Sequence, residues 1–570
     1  MQVRRAYWIR FFAGATFGLY VTHLLYFLNP QIDVTRTRLA MDTLVYGTIC
    51  GAIFGSLLWA LRAIRLRIMG DAPGPEHARG FGFIVMAAFA AATVYWFHLA
   101  TVRQYLPIGA VRMLSIGANV VSATAFLLLI LWTIERNAKK GVSRTILTLG
   151  LLLIALSSVA LYQRRGRYRD ARRTAVVANA GTLAEQQPVV MVAIRNLPYD
   201  WIVTVSGEGG LSFFDGATRS GYFTRLEPFP TTSPKALWAS LITGKLPYGH
   251  GVTGRFSYRT ALSSRDPDER YLLLPNGVGF RAWGLLPPVK RISANLPSGE
   301  ALSLWSLFER LGLRAAVINW PGSKSATASL IVSDDAIRSA SLRHPDASRV
   351  GERFRGTGEA QQRIVHALLA DGTAIGGLTR ASASTPFDLR VAALEGFEEA
   401  QRAVHIFRNE IPPADSLKGI TARAYLRELD RLLASVSIAF PNHLLVVVSP
   451  NAPVARRPPA TPLSLLQDAI SEADRSSDDG FLLMTGPGVR SAARPSPVAV
   501  TDVVPTVLFA VGLPVARDMD GRVVSEAFDE QFLRQRPLSL IPTYEAQRLV
   551  VRRPGRMGVV RNAAGQAGRS

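Results

Sequence analysis

The pattern of apolar and polar positions divides the chain into two parts of different character. Before residue 165 there are five apolar runs, each close to the length of a membrane span. A helix needs about 20 mostly apolar residues to cross the hydrocarbon core of a bilayer. The pattern therefore predicts an all-α transmembrane region of about five helices within residues 1–165. The runs are 7–28, 43–61, 81–99, 116–133 and 146–162.

A different pattern follows a basic and polar linker over 166–187. Short apolar, β-branched runs alternate with amphipathic stretches, and the clearest run is HLLVVVS at 443–449. Alternating strands and helices predict a parallel sheet with helices on both faces. We expect one α/β domain over 188–543 and a disordered basic tail over 544–570, rich in Arg, Gly and Ala. The other predicted strands are 189–194, 314–319, 389–394 and 481–485.

The charge distribution predicts how the chain is oriented in the membrane. The formal net charge is +23, and no nucleic-acid motif accompanies it, so we expect membrane lipid rather than nucleic acid as the partner. Loops on one side of the five spans carry ten basic residues against four on the other, which places the N-terminus in the cytoplasm. Five spans then put the α/β domain outside a bacterial-type inner membrane. The arginine cluster at 164–173 argues against this side, and four or six spans would reverse it.

One segment carries the chemistry of the chain. Residues 230–252 read PTTSPKALWASLITGKLPYGHGV, a hydroxyl cluster followed by a helix, Thr-Gly and a Pro-x-x-His-Gly turn. With ALSLWSLFERLGLRAAVINWPGS, IVSDDA, YLRELDRLL, GFLLMTGPGVR and TDVVPTVLFAVGLPVARDMDGRV in that order, it resembles the alkaline phosphatase superfamily, closest to the type I phosphodiesterase (nucleotide pyrophosphatase-like) branch. The resemblance covers 188 to about 528 and implies an alkaline-phosphatase-like, or sulfatase-like, fold.

The resemblance also implies a reaction. Members of the family hold two divalent metals, such as zinc or manganese, with Asp and His, and a Ser or Thr alkoxide between the metals attacks phosphorus or sulfur. Ser233 is the first candidate nucleophile here and Thr232 the second, in a cluster that also contains Thr231. The alternative is that these hydroxyls only cap the helix that begins near Lys235.

Most metal-ligand positions carry unsuitable residues. The first strand ends in Arg195-Asn196 where the family has Asp-Gly, and the strand HLLVVVS ends in Pro450-Asn451 where it has Asp-His. Ser476 and Arg402 each stand where a His is expected. These positions predict that the ordinary two-metal site is not built and that no cofactor is bound. Only Asp200 and Glu398 remain as residual metal candidates.

Arg195 and Arg402 suggest a substitute for the metals. Two guanidiniums near a hydroxyl cluster could bind a phosphate or sulfate group without metal, or they could be solvated or paired with Asp200 or Glu398. Three function classes follow: a catalytically degenerate envelope protein that binds, scaffolds or regulates; a working phosphoesterase or phosphotransferase with an unorthodox site; and a mainly membrane-based role. The sequence sets neither the ligand nor the oligomeric state.

Overall fold

The computed structural model forms two compact units. The helical unit contains residues 1–170, 256–293 and 466–471, and the sheet unit contains 171–255, 294–465 and 472–570. The residues that the structure describes are 2–29, 32, 34–69, 76–106, 108–137, 144–165, 176–179, 187–229, 234–252, 256–260, 289–293, 301–321, 328–342, 346–354, 356–384, 386–406, 411–450, 479–491, 495–545, 548–553 and 556–561.

Five long helices make up most of the helical unit. By length and composition each can cross a membrane, so the prediction of about five apolar segments is confirmed. Their apolar runs are longer than a core helix requires and carry few charges. The helices are α1 Gln2–Leu28, α2 Arg36–Met69, α3 Glu76–Val102, α4 Ile108–Asn137 and α5 Arg144–Arg165.

Helices α1 and α2 approach closely because both present glycines. Gly14 and Gly18 are spaced by four on α1, and Gly47 and Gly51 are spaced by four on α2. A Cβ on Gly14 would lie 2.5 Å from the Cys50 carbonyl oxygen, and one on Gly18 would lie 2.7 Å from that of Tyr46. Small residues at this spacing allow helix backbones to touch, which replaces the hydrophobic driving force that lipid does not provide.

We expect Gly18→Leu to separate α1 from α2. The side chain has no room against the α2 backbone, so the substitution should cost about 2 kcal/mol or more through overpacking. Thermal unfolding of the full-length protein in detergent measures this effect. Ala90→Leu, on the exposed side of α3, is the matched control and should change stability by less than about 0.5 kcal/mol. Equal effects of the two substitutions would contradict the close packing.

The sheet unit is built on one large sheet. The strands of the described residues, numbered in chain order, are β1 Val176–Asn179, β2 Val189–Ile194, β3 Tyr222–Glu227, β4 Phe256–Thr260, β5 Val289–Ser293, β6 Ala315–Ile318, β7 Leu330–Val332, β8 Leu389–Leu394, β9 Leu444–Ser449, β10 Gly480–Thr485, β11 Val498–Ala499, β12 Val515–Ala516, β13 Leu540–Ile541, β14 Arg548–Arg553 and β15 Arg556–Arg561. The eight-stranded sheet has the order β11-β3-β10-β9-β2-β8-β6-β7. All its strands run parallel except β10, which is antiparallel to β9 and β3.

Helices cover both faces of this sheet. They are α6 Tyr199–Gly207, α7 Ser212–Ser220, α8 Pro234–Thr243, α9 Pro247–His250, α10 Leu304–Arg310, α11 Asp334–Ser341, α12 Ala347–Gly351, α13 Ala360–Ser384, α14 Gly396–Ala403, α15 Leu417–Ala439, α16 Val503–Val511 and α17 Glu530–Gln535. Alternate residues of β2 point to opposite faces, so Met191 packs in the core with α8, α10 and α16. Val192 packs in the core with α6, α7, α13 and α15. The predicted α/β class is therefore confirmed, with an all-apolar central strand buried on both sides.

The ends of the sheet unit carry more strand than the sequence predicts. Strand β1 lies in the segment assigned to the linker, and β14 and β15 lie in the segment assigned to a disordered tail. These three strands form a separate small sheet in the order β1-β14-β15. The domain limits at 188 and 543 stay a prediction.

Candidate functional site

The carboxyl ends of the parallel strands meet at one edge of the large sheet, here called the carboxyl edge. Arg195 follows β2, Glu395 follows β8 and Asn319 follows β6. Because β10 is antiparallel, its first residues also lie at this edge, where Phe481 pairs with Ser449 at the end of β9. Ligand sites of open α/β sheets form at this edge.

The chain turns sharply where two of these strands end. Asn196 has φ 57° and Asn319 has φ 54°, a left-handed conformation that asparagine tolerates better than most residues. The Asn319 side chain donates a hydrogen bond to the Ala393 carbonyl oxygen at 2.8 Å, and the Leu197 N–H donates to Ser449 Oγ at 3.1 Å. These bonds hold adjacent strand ends in fixed register at the carboxyl edge.

Arg195 forms ion pairs with two carboxylates of the β8–α14 segment. Its Nη1 lies 2.7 Å from Glu395 Oε1, and its Nε contacts Glu398 Oε2. The Arg195 backbone N–H donates to the Leu394 carbonyl oxygen at 2.9 Å, which fixes the start of the side chain beside the end of β8. The guanidinium therefore joins the end of β2 to helix α14.

Arg402 contacts the other oxygen of the same Glu398 carboxylate. The Glu398 side chain is only 9% exposed, against 24% for Arg195 and 54% for Arg402. Burial raises the pKa of Glu398, although the positive charges of Arg195 and Arg402 act to lower it. Of the two alternatives for these arginines, the geometry agrees with ion pairing to Glu398, and Glu395 is a further partner. The anion-binding role of Arg195 and Arg402 stays a prediction.

Two polar groups next to these ion pairs have unmet hydrogen-bonding capacity. Within the described part of the chain, Asn196 Oδ1 and both polar atoms of the Gln401 amide are buried without a hydrogen-bond partner. A buried polar atom without a partner costs free energy. Such groups mark a place where a ligand or water could bind favourably.

Asp200, the other residual metal candidate, has a different partner. It lies in the first turn of α6, and its Oδ1 is 2.6 Å from Arg225 Nη2. Arg225 also faces Asp479 at 3.5 Å and lies over the Tyr199 ring at 4.5 Å. Asp200 therefore pairs with Arg225 on β3, and not with Arg195 or Arg402, a pairing that the sequence left open as one alternative.

The candidate nucleophiles Ser233 and Thr232, with Thr231, lie outside the described residues, as do Asn451 and Ser476. The described chain ends at Phe229, shortly after β3, and resumes at Pro234, the first residue of α8. Proline suits a first helical position because it has no N–H to leave unsatisfied. The hydroxyl cluster thus connects the end of β3 at the carboxyl edge to the start of α8.

The turn after α8 is fixed by a buried lysine that the sequence analysis did not single out. Lys245 Nζ lies 2.8 Å from Asp518 Oδ2 and 2.9 Å from Glu545 Oε2. Burial opposes ionisation of Glu545, yet attraction to Lys245 and hydrogen bonds from Lys245, Thr543 and the Leu302 N–H lower its pKa to about 2. This cluster connects the Thr-Gly turn to residues nearly three hundred positions later in the chain.

His250 of the Pro-x-x-His-Gly turn is a structural histidine. Its Nδ1 accepts a hydrogen bond from the Val252 N–H at 3.1 Å, so Nε2 carries the proton and donates to Ser240 Oγ at 2.9 Å. Burial, and then the charge of Lys245, lower the pKa of His250 to about 3. The ring therefore stays neutral and holds the turn against α8.

A buried carboxyl group contacts the start of α14. Asp371 on α13 accepts hydrogen bonds from the Gly396 N–H at 3.1 Å and from the Tyr425 hydroxyl at 2.9 Å. Burial raises the pKa of Asp371 to about 7, even though both hydrogen bonds favour the carboxylate. A Cβ on Gly396 would lie 2.0 Å from the Tyr425 hydroxyl oxygen. The start of helix α14 therefore packs tightly against these two polar side chains.

Asp371 gives the sheet unit a defined pH dependence. Its folded pKa of about 7 is above the ordinary value of 3.8, so between these values the folded protein holds a proton that the unfolded chain has lost. Unfolding then releases a proton, and stability falls as pH rises through this window, by on the order of 1 kcal/mol per pH unit. In urea unfolding at several pH values within this window, the free energy of unfolding should fall less steeply with rising pH for Asp371→Asn than for wild type. An unchanged slope would contradict the assignment.

The described residues do not fit a pair of divalent metals. Among them, no group of three or more His, Cys, Asp or Glu side chains converges as metal ligands do. Glu398, the residual candidate at the carboxyl edge, already contacts two guanidiniums. A guanidinium cannot ligate a cation and repels one. The donor set of the described carboxyl edge therefore suits ion pairing rather than two metals.

The chain was compared with family models, curated proteins and solved structures. No family model and no curated protein match it. Among solved structures, it is similar to murine ectonucleotide pyrophosphatase/phosphodiesterase 5, with 12% identity and a TM-score of 0.37 over 60% of this chain and 100% of that one.

It is also similar to a 2-O GAG sulfatase, with 13% identity and a TM-score of 0.39 over 64% of this chain and 77% of that one. A third match is the alkaline phosphatase PafA, with 8% identity and a TM-score of 0.39 over 60% of this chain and 99% of that one. These structure neighbours are all members of the alkaline phosphatase superfamily.

Proposed function

We propose that this chain is an integral membrane protein whose sheet unit is a catalytically degenerate member of the alkaline phosphatase superfamily. It acts in the cell envelope by binding, scaffolding or regulation, without two-metal chemistry. The observation that carries the proposal is Arg195 at the end of β2, paired with Glu395 and Glu398. A positive side chain occupies the strand end where the family resemblance expects a metal-binding carboxylate.

The energetics of this pairing favour the proposal. For Glu398 to bind a metal, it would have to give up contacts to two guanidiniums while remaining buried. If a metal displaced these contacts, the partly buried Arg195 guanidinium would lose a carboxylate partner, which opposes metal binding. The dication would also approach the permanent charge of Arg195, which has no neutral form in proteins.

The ligand that this site suits best carries a phosphate or sulfate group. Arg402 keeps about half of its side chain exposed, at 54%, and makes its ion pair through Nη2. Planar guanidiniums bind such groups by paired, charge-assisted hydrogen bonds. The unsatisfied amide nitrogen of Gln401 adds a donor that such a group can satisfy, whereas the unsatisfied oxygens of Asn196 and Gln401 need a donor from another part of the ligand.

Hydrolysis assays test the absence of catalysis. The full-length protein in detergent is offered chromogenic phosphate monoesters, phosphate diesters and sulfate esters, with zinc or manganese added. We expect Ser233→Ala and Thr232→Ala to leave the rate unchanged, because the proposal assigns no turnover to these hydroxyls. Turnover that depends on Ser233 would instead establish the alternative, a phosphoesterase or phosphotransferase with an unorthodox site.

Ligand titration tests the binding role. Isothermal titration with phosphorylated and sulfated compounds should show weaker binding to Arg195→Ala than to wild type. Arg363→Ala is the matched control, since Arg363 is an exposed arginine of α13 that pairs with Glu399, the residue after Glu398 on α14. Equal affinity in wild type and Arg195→Ala would show that Arg195 and its neighbours do not bind the ligand.

The orientation of the protein follows the distribution of basic residues between loops. We propose that the N-terminus is cytoplasmic and the sheet unit extracytoplasmic. Cys50 is the one cysteine in the sequence, so Cys50→Ser combined with Gln535→Cys yields a single exposed thiol on α17. A membrane-impermeant maleimide should label this thiol in intact spheroplasts. Labelling only after lysis would place the sheet unit on the cytoplasmic side.

A further inference from the structure

The hairpin formed by β14 and β15 concentrates positive charge. Residues 548–561 contain five arginines and no acidic residue. The arginines are Arg548, Arg552, Arg553, Arg556 and Arg561. Blocks of like charge without counter-ions in the same segment are typical of surfaces that bind a polyanion.

The strand register places two pairs of these arginines opposite each other. In the antiparallel pairing of β14 with β15, Arg548 pairs with Arg561 and Arg553 pairs with Arg556. Like charges directly opposite on adjacent strands destabilise the pairing. The hairpin therefore gains stability from any partner that brings negative charge to both of its ends.

The hairpin is tied to the part of the chain that leaves the apolar helices. Strand β14 pairs in parallel with β1, from Val176 opposite Leu549 to Asn179 opposite Arg552. Ten residues, 166–175, connect the end of α5 to β1 along the sequence. Four of them are arginines and one is acidic, so this connecting segment is also positively charged.

We propose that the β14–β15 hairpin is a membrane-surface contact that binds the phosphate groups of anionic phospholipids. Each basic residue near an anionic bilayer surface contributes about 1 kcal/mol of attraction, and the opposed arginine pairs provide the charge that such a surface neutralises. Nucleic acid offers phosphates too, but the same chain contains five helices that are apolar enough to cross a membrane, and a bilayer that holds them supplies lipid phosphates. This contact is independent of the function proposed for the carboxyl edge.

Hydrogen exchange in nanodiscs tests the contact. The full-length protein is placed in nanodiscs of phosphatidylcholine alone or with added phosphatidylglycerol, and exchange is followed over 548–561 by mass spectrometry. We expect exchange to slow at least about tenfold with the anionic lipid, and the slowing to disappear at about 0.5 M salt. Peptides from β9 serve as the internal reference and should exchange equally in both lipids.

Two matched variants separate charge from structure. Replacing the five hairpin arginines by lysine keeps the charge and should keep most of the lipid-dependent protection, whereas replacement by glutamine should abolish it. Equal exchange of the wild-type hairpin in the two lipids would overturn the proposal. Protection by a short DNA or RNA duplex in neutral nanodiscs, without protection by phosphatidylglycerol, would overturn it in favour of nucleic acid.

Discussion

Replacing Lys245 by methionine is expected to destabilise the sheet unit by about 3–5 kcal/mol. The Lys245 side chain is 5% exposed and contacts Asp518 and Glu545, of which Glu545 is 6% exposed. Methionine fills a similar volume but leaves two negative charges without their cation. The cost arises from these stranded charges, because well-paired buried ions by themselves add little net stability.

Urea unfolding of the full-length protein in detergent, followed by tryptophan fluorescence, measures this cost. Lys235→Met is the matched control, because Lys235 lies exposed at the start of the same segment and its loss should change stability by less than about 0.5 kcal/mol. Lowering the pH should reduce the difference between wild type and Lys245→Met. The folded pKa of Glu545, about 2, is below its ordinary value. Ionised Glu545 therefore stabilises the fold at higher pH, and this stabilisation is lost as the pH falls toward the folded pKa. If Lys245→Met is as stable as the control, the Lys245 ion pairs are not needed for the stability of the sheet unit.

Replacing Arg195 by leucine should be the second largest effect, at about 3 kcal/mol. Glu398 is 9% exposed and would keep only Arg402, while Glu395 would lose the one side-chain contact described above. Because burial already raises the pKa of Glu398, removal of Arg195 should raise that pKa further. The folded variant should therefore take up a proton at the carboxyl edge at higher pH than wild type.

The same unfolding experiment, repeated at several pH values, separates the two arginines. Arg402→Leu should cost only about 1 kcal/mol or less, since Arg402 is 54% exposed and water screens its charge. The cost of Arg195→Leu should also shrink toward low pH, where Glu398 is protonated. Similar costs for the two substitutions would show that Arg195 is not the central cation of the site.

Sequence patterns predicted the elements of this fold where burial alone defines them. The run at 444–448 consists of apolar residues, as expected for a strand covered on both faces, and β2 and β8 are buried in the same way. Strand β3 was missed because its residues alternate between buried and partly exposed, a pattern that a short segment shares with irregular structure. The antiparallel direction of β10 depends on its pairing with β3 and β9, which no local pattern encodes.

Sequence reasoning singled out Arg195, Glu398 and Arg402 and left open whether they pair with one another, bind metal or bind an anion. They form one ion-pair network, and their binding roles stay predictions. Glu395, the further partner of Arg195, was not singled out, although its position directly after β8 was the available signal. The partners of Lys245 lie 273 and 300 positions later along the chain, and their approach depends on the complete fold.

The metal content of the purified protein tests the central claim most directly. Full-length protein in detergent is saturated with zinc or manganese, freed of unbound ions, and analysed by elemental mass spectrometry. The account predicts less than about one-tenth of a metal ion per chain, because Arg195 and Arg402 already neutralise Glu398 at the carboxyl edge. About two tightly held ions per chain, the stoichiometry of a two-metal centre, would contradict it.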